Sequence, residues 1–478
     1  MKPARKAWAP KWLVVLHRYV GIVMGLLMLL WFVSGVVMLF VHWPEVTDQE
    51  RAAGLPPVAW GQCCQFGDVQ EVIQVQHATV EDLAGRPVLR FDDQVLDLAT
   101  GRPVHRVSLA DAARVAQAYA SAHGVDGRPG TPGAVERDQW TVTGYFDKRR
   151  PFYLFHFDDP ARTDIYVSAH TGAVSQVVNA REKVLNWLGP IPHWLYPEVL
   201  RADTKLWAQV VIWTSVVGAF LTITGLYLGI ISWRPWRDKR VTPYRGLMAW
   251  HHLTGLFAGV LTLTWVASGL ISMNPWGLLE SGPDDRAEQM TGLFSFGDLE
   301  EAVLAAKASG VAAHRLTAAP LEGRLYLMAD GVRFDATGRP APLSTPSLAQ
   351  AASRLGPAKS QAVISQADAY YYDGHDGRAE LPAYRVELED GVRFYLDPAS
   401  GQVLARVDGA GRVYRWLFAG LHRLDVVNGL RGGAPWTVAM VLLLTFAGAG
   451  VATGVWLGWR RARSDLGKLA KGKAPELG

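Results

Sequence analysis

Four stretches of this 478-residue chain run for 23 to 28 positions without a charged side chain: Tyr19–Val41, Leu206–Trp233, Leu253–Leu279 and Gly432–Trp459. At roughly 1.5 Å of rise per residue, even the shortest run is long enough as a helix to cross a hydrocarbon layer of about 30 Å. A soluble protein with four fully buried helices is the competing explanation, and four uncharged runs of this length argue against it. The chain therefore reads as a membrane α-helical protein with four spans.

Basic residues set the orientation. Lys2, Arg5, Lys6 and Lys11 precede the first span, and Arg234, Arg237, Lys239, Arg240 and Arg245 separate the second from the third. Arg460, Arg461, Arg463, Lys468, Lys471 and Lys473 follow the fourth. Excess Lys and Arg mark cytoplasmic segments, so both termini are expected in the cytoplasm and the two long regions outside. The expected division is a tail and first span (1–43), an external domain (44–205), the second span (206–233) and a cytoplasmic loop (234–247). A third span (248–279), a second external domain (280–431), the fourth span (432–459) and a tail (460–478) complete it. The net charge of +4 follows from this topology, with no basic stripe for nucleic acid. No small-residue cleavage site follows the first span, which reads as an uncleaved anchor. The only cysteines, Cys63 and Cys64, are adjacent and cannot build a disulfide framework.

The first and third spans match each other at an offset of 234 residues. His17 falls on His251, Gly21 on Gly255, Gly25 on Gly259, Trp31 on Trp265, and Ser34-Gly35 on Ser268-Gly269. The second and fourth match at an offset of 229, with Trp187, His193, Leu195 and Trp207 falling on Trp416, His422, Leu424 and Trp436. "TGLYLG" there meets "TGVWLG". The external regions join the pattern, since Tyr166 and Gly172 fall on Tyr395 and Gly401. A parallel internal duplication with a pseudo-twofold axis along the membrane normal is the expected architecture. Each external region reads as α+β. Helical patterns appear at Leu109–His123 and Leu299–Ser309, and short strands end in "VLDLATGRPV", "IYVSAHTGAV", "VRFDATGRPA" and "FYLDPASGQV". Two such endings per region predict two small helix-and-sheet halves in each.

The repeated histidines carry the chemistry. His17 and His251 sit near the cytoplasmic ends of their spans, and His193 and His422 just before spans two and four on the outer side. Twofold symmetry puts each histidine and its mate at equal depth, giving an inner pair and an outer pair. An imidazole near lipid is costly without a partner, and two facing imidazoles suit axial ligation of one haem iron. His17, Gly21 and Gly25 lie on one helix face, as do His251, Gly255 and Gly259, so the glycines are expected to line a flat macrocycle. Plain helix packing through small-xxx-small motifs is the alternative for those glycines. His252 and His42 read as interfacial polar residues and as alternative ligands, inner and outer respectively. Arg18, Arg245, Arg423 and Arg431 lie close enough in sequence to pair with propionates or to snorkel to the headgroups. Zinc would require more ligands than two histidines per layer supply. The other histidines carry no repeat signature. "YYYDGHDGR" at Tyr370–Arg378 reads either as an exposed aromatic loop for an external ligand or as an ordinary polar hairpin.

The segments "LHRYVGIVMGLLMLLWFVSGVV" and "WHHLTGLFAGVLTLTWVASGLI", with strand endings of the "YxDPxSGxV" kind, resemble the PepSY-associated transmembrane-helix family. The resemblance covers nearly the whole chain: four spans and two external PepSY-like domains. It implies kinship with inner-membrane ferric-siderophore reductases that carry b-type haem. It also implies two haem b groups held by His17, His251, His193 and His422, a bacterial inner-membrane location and periplasmic external domains. The outer segment "GPIPHWLYPEVL" departs from its own repeat mate around the histidine, which leaves the outer ligand set open.

The function expected is electron transfer across the membrane to a ferric siderophore or other ferric chelate. The cytoplasmic segments are too short for a flavin or nicotinamide domain, and no G-x-G-x-x-G motif joins a strand to a helix. Membrane quinol or a soluble cytoplasmic reductase is therefore the expected donor. Two other classes stay open: a non-enzymatic sensor, assembly or protease-regulating factor, and a transporter of small solutes or iron chelates.

Overall fold

The computed structural model describes residues 10–67, 69, 73–92, 94–233, 241–373, 379–426 and 433–471. Most of the basic loop after the second span, the tip of the tyrosine loop with His375, and Arg431 lie outside these residues. The chain divides into two compact units. One holds Met1–Trp43, Lys183–Glu280 and Val413–Gly478, the other Pro44–Glu182 and Ser281–Arg412.

The first unit is built on four helices long and apolar enough to cross a membrane: Lys11–Met38, Thr204–Ser232, Leu247–Ser272 and Ala434–Leu469. Asp203 caps the second, accepting from the Lys205 and Leu206 amides at 3.0 Å each. Pro435 lies in the first turn of the fourth, where its missing N–H costs nothing. That helix continues to Leu469, so the basic residues from Arg460 to Lys468 extend it as helix and do not begin a loose tail. Inward-facing Met24, Met28, Phe32, Leu221, Trp265, Val266, Met440 and Leu444 form its core. Val23, Leu26, Val33, Trp213, Phe257, Val260, Leu442 and Trp456 are exposed. An apolar shell on all four helices is what lipid solvates and water does not.

The second unit is α+β. Its central sheet has seven antiparallel strands and draws on both external regions. Ala78–Leu83 from the first pairs with Arg315–Ala318 from the second, Val80 opposite Leu316. Buried Glu81 fastens this seam, lying 2.6 Å from Arg90 and 3.1 Å from Arg315. Burial alone would raise its pKa, but the two guanidiniums outweigh that and hold it below the usual range. The regions expected to be separate domains thus share one sheet. The reason is that each half-sheet would otherwise expose an edge strand.

Each region also forms its own four-stranded sheet, ending in Asp164–Ser168 with Val174–Val178 and in Arg393–Leu396 with Val403–Val407. The helices Leu109–Ala122 and Phe296–Ala308 fall within a few residues of expectation, opened by Ser108 and Ser295. A third, Thr345–Ala352, was not anticipated. Gly101, Gly172, Gly338 and Gly401, the four glycines of the "TG" and "SG" endings, all have positive φ, between 70° and 80°. Those turns need a residue without Cβ. Cys63 and Cys64 are joined as a vicinal disulfide.

Candidate haem-binding site

The four long helices and the short segments before the second and fourth bring the repeated histidines together in two pairs. The ring centroids of His17 and His251 are 6.5 Å apart. Those of His193 and His422 are 6.1 Å apart. From His17 to Ser34, which touches His193, the first helix rises about 25 Å, so the pairs lie near its two ends.

All four rings are held the same way. Nδ1 of His17 lies 3.3 Å from the Thr224 hydroxyl, which itself donates to the Leu221 carbonyl at 2.8 Å. With its own proton committed, that hydroxyl accepts, and the imidazole donates through Nδ1. Nδ1 of His251 lies 3.2 Å from the Gly450 carbonyl and 3.4 Å from the Thr453 hydroxyl. In the outer pair, Nδ1 of His193 meets the Trp31 carbonyl and the Ser34 hydroxyl, both at 3.1 Å. Nδ1 of His422 meets the Trp265 carbonyl at 3.0 Å and the Ser268 hydroxyl at 3.1 Å. Both serines donate back into their own helix, to Leu30 and Thr264. A neutral imidazole that donates through Nδ1 carries its lone pair on Nε2, the form that binds a metal.

A glycine lies against each of these rings, and at the inner pair no Cβ would fit. A Cβ at Gly225 would stand 2.7 Å from Cε1 of His17, and one at Gly454 2.5 Å from Cε1 of His251. At Gly35 and Gly269 it would stand 3.4 and 3.5 Å from Cε1 of His193 and His422. Of the glycines expected to line a macrocycle, a Cβ at Gly25 or Gly259 would stand 2.5 or 2.8 Å from Val455 or Leu226, as in helix packing, one at Gly21 3.7 Å from Leu221, and one at Gly255 would meet no described neighbour within 4 Å. All eight glycines match at the 234- and 229-residue offsets, and that matching does not separate ring contact from helix contact.

Two tryptophans at the starts of the second and fourth spans anchor the backbone beside the outer histidines. The Trp207 indole donates to the carbonyl of Trp194, next to His193, and the Trp436 indole to that of Arg423, next to His422, both at 2.9 Å. The segments differ in backbone, His193 ending a short α-helix (Pro190–His193) and His422 following a π-helical turn (Arg415–Gly420). The turns then converge, because Leu195 and Leu424 both adopt positive φ, 52° and 51°.

His252 departs from its expected interfacial setting. It is buried, with Nδ1 2.9 Å from the Thr242 hydroxyl and Nε2 2.9 Å from the Gly229 carbonyl. With both nitrogens engaged, it ties the second helix to the segment before the third and is not presented to His17. His42 is exposed, and its carbonyl accepts from Asn186. Arg245 is exposed, whereas Arg18 and Arg423 are half-buried. In the tyrosine loop, Tyr371 is buried and stacks on Tyr395 at 4.6 Å, so this aromatic faces the domain core.

The donor set is one that would suit haem: two imidazoles per layer, their ring centres 6.5 and 6.1 Å apart, would hold the iron through Nε2. No protein-family model matches this chain, and no curated protein matches it significantly.

Proposed function

We propose that this chain is a bacterial inner-membrane electron-transfer protein with two haem b groups, of the PepSY-associated transmembrane-helix type, which reduces a periplasmic ferric siderophore or other ferric chelate. One observation carries the reading: two close histidine pairs in which each ring donates through Nδ1, so that Nε2 would be the ligating atom. A sensor or a transporter has no need of that tautomer four times over.

The parallel duplication is part of the proposal. Its support is that equivalent contacts recur at both offsets: Thr224 and Thr453 on the inner rings, Ser34 and Ser268 on the outer. Haem bound at each layer supplies a one-electron couple near each face of the membrane. The protein's residues do the rest. Imidazoles fix the iron, carbonyls and hydroxyls set ring orientation and ligand basicity, glycines admit close approach, and the methionine-rich core between the layers excludes water. Membrane quinol or a separate cytoplasmic reductase is the donor in this scheme. A ferric chelate suits a one-electron acceptor, because hard oxygen ligands hold the ferrous ion less tightly and release it.

The test is the visible spectrum of the detergent-purified protein together with its haem content. Two haem equivalents are expected, with a Soret band that shifts on dithionite addition. His17→Ala and His422→Ala should each remove about one equivalent. A colourless protein, or both variants retaining full haem, overturns the proposal in favour of a sensor or transporter.

A further inference from the structure

The two outer histidines sit in segments that match at the 229-residue offset, yet different chemistry holds each segment. His193 ends the α-helix Pro190–His193, whereas His422 follows the π-helical turn Arg415–Gly420. Such turns are rare and are frequent at functional sites. Arg415 opens the turn, and its repeat mate is Asn186. Asp425 stands three residues past His422, and its mate is Tyr196. A charged pair thus brackets one outer histidine, and two uncharged residues hold the same positions around the other.

Arg415 and Asp425 meet across the loop that carries His422. Nη2 of Arg415 donates to the Asp425 carbonyl at 3.1 Å and lies 3.4 Å from the carboxylate Oδ2. The two side chains are only 4 % and 2 % exposed. Inside the loop, the amides of Arg423 and Asp425 both donate to the Ala419 carbonyl at 3.2 Å, and Phe418 stacks on the His422 ring at 5.2 Å. In the first copy Tyr196 instead joins an aromatic group, its ring 5.2 to 5.8 Å from those of Trp43, Trp194 and Trp207.

Comparing the copies separates what the fold needs from what the chemistry needs. His193 is held with Asn186 and Tyr196 at the bracketing positions, so the segment does not call for charge there. Burying two charges is costly, and apolar side chains of similar volume often stabilise a fold as well as a buried pair does. An ion pair supplies something that apolar groups lack, a fixed electric field in a poorly screened interior. That field acts close to the histidine whose Nε2 would hold an iron that changes charge on reduction.

We propose that Arg415 and Asp425 are positioning residues for His422, closing its loop and setting the charge beside the outer haem; this rests on the haem reading above. Neutralising Asp425 leaves the Arg415 cation, which keeps its charge even when buried. A nearby cation disfavours the ferric state relative to the ferrous, so the outer haem should then become easier to reduce.

Redox titration of the detergent-purified full chain, followed at the Soret band, tests it. Asp425→Asn, Asp425→Glu and the double variant Arg415→Met with Asp425→Asn are each compared with the unsubstituted chain, where only one of the two haems should respond. The same set in a His17→Ala background assigns that response to the outer layer. Asp425→Asn should raise the midpoint potential, Asp425→Glu should leave it near the parent value, and the double variant should bring it back toward the parent. A merely structural clamp predicts the reverse for the double variant, whose loop is released from both sides. An unchanged potential in Asp425→Asn, a double variant further from the parent than the single one, or haem lost from Asp425→Asn and not restored by Asp425→Glu overturns the proposal. An unsubstituted chain without haem overturns the underlying reading, and this proposal falls with it.

Discussion

Replacing Gly454 by alanine puts the proposed haem-binding geometry under direct strain. The new methyl would stand 2.5 Å from Cε1 and 3.0 Å from Nδ1 of His251. Carbon atoms in contact prefer about 3.5–4.0 Å, so ring or helix must retreat by about 1 Å. Overpacking of that kind costs about 1–3 kcal/mol. Gly→Ala inside a helix returns about 1 kcal/mol through backbone entropy, so the fold should lose no more than about 2 kcal/mol. The ring is less forgiving, because a ligand must stay within about 0.5 Å of its working position. Disturbing a ligand's supporting contacts typically costs 10- to 100-fold in affinity, and that is the expected loss for the inner layer. Haem content measured as the pyridine complex should fall from two equivalents toward one, the survivor belonging to the His193–His422 layer. Gly467→Ala, in the same helix with no neighbour within 4 Å, is the control and should be neutral or slightly stabilising. If Gly454→Ala keeps both equivalents and an unchanged spectrum, the inner pair does not hold haem as argued.

Trp436→Phe removes the indole donor 2.9 Å from the Arg423 carbonyl while keeping an aromatic ring. It should cost about 1 kcal/mol of local order and speed haem transfer to apomyoglobin from the outer layer alone; equal loss from both layers would contradict its positioning role. In the second unit, Arg286, hydrogen-bonded to Asp284, holds that carboxyl down to about 2, with Arg406 2.9 Å away. A depressed carboxylate pKa stabilises the fold above the unfolded value near 3.8 and loses that contribution as pH falls through about 2. Thermal melts followed by circular dichroism should therefore show about 2 kcal/mol of stability vanishing between pH 4 and pH 2. Asp284→Asn should lack that step and melt lower at neutral pH, and an identical acid profile would refute the ion-pair account.

Much of the bundle was legible in the chain. Absence of charge over more than 20 residues leaves a helix in lipid as the one economical structure, so the spans follow from composition alone. The histidine pairs were legible because His17 and His251, like His193 and His422, occupy equivalent positions in repeated segments. Turn glycines such as Gly172 and Gly401 declared themselves, since a Cβ is excluded from their backbone conformation. The glycine roles were not legible. Gly25 and Gly225 both lie in apolar helices, and only the neighbouring helix decides that one meets Val455 and the other His17. His252 misled for the same reason, because its two acceptors come from residues 10 and 23 positions away.

The sequence by itself determined which segments are apolar enough for lipid, which residues recur at 234 and 229, and where glycine must turn the strands. Those properties are local or periodic, and each residue carries its own share. Only the tertiary structure decided that Nδ1 of each ring donates and that the two external regions share one sheet. These depend on which atoms of distant segments meet within hydrogen-bonding range, a matter of packing that no single stretch of chain encodes.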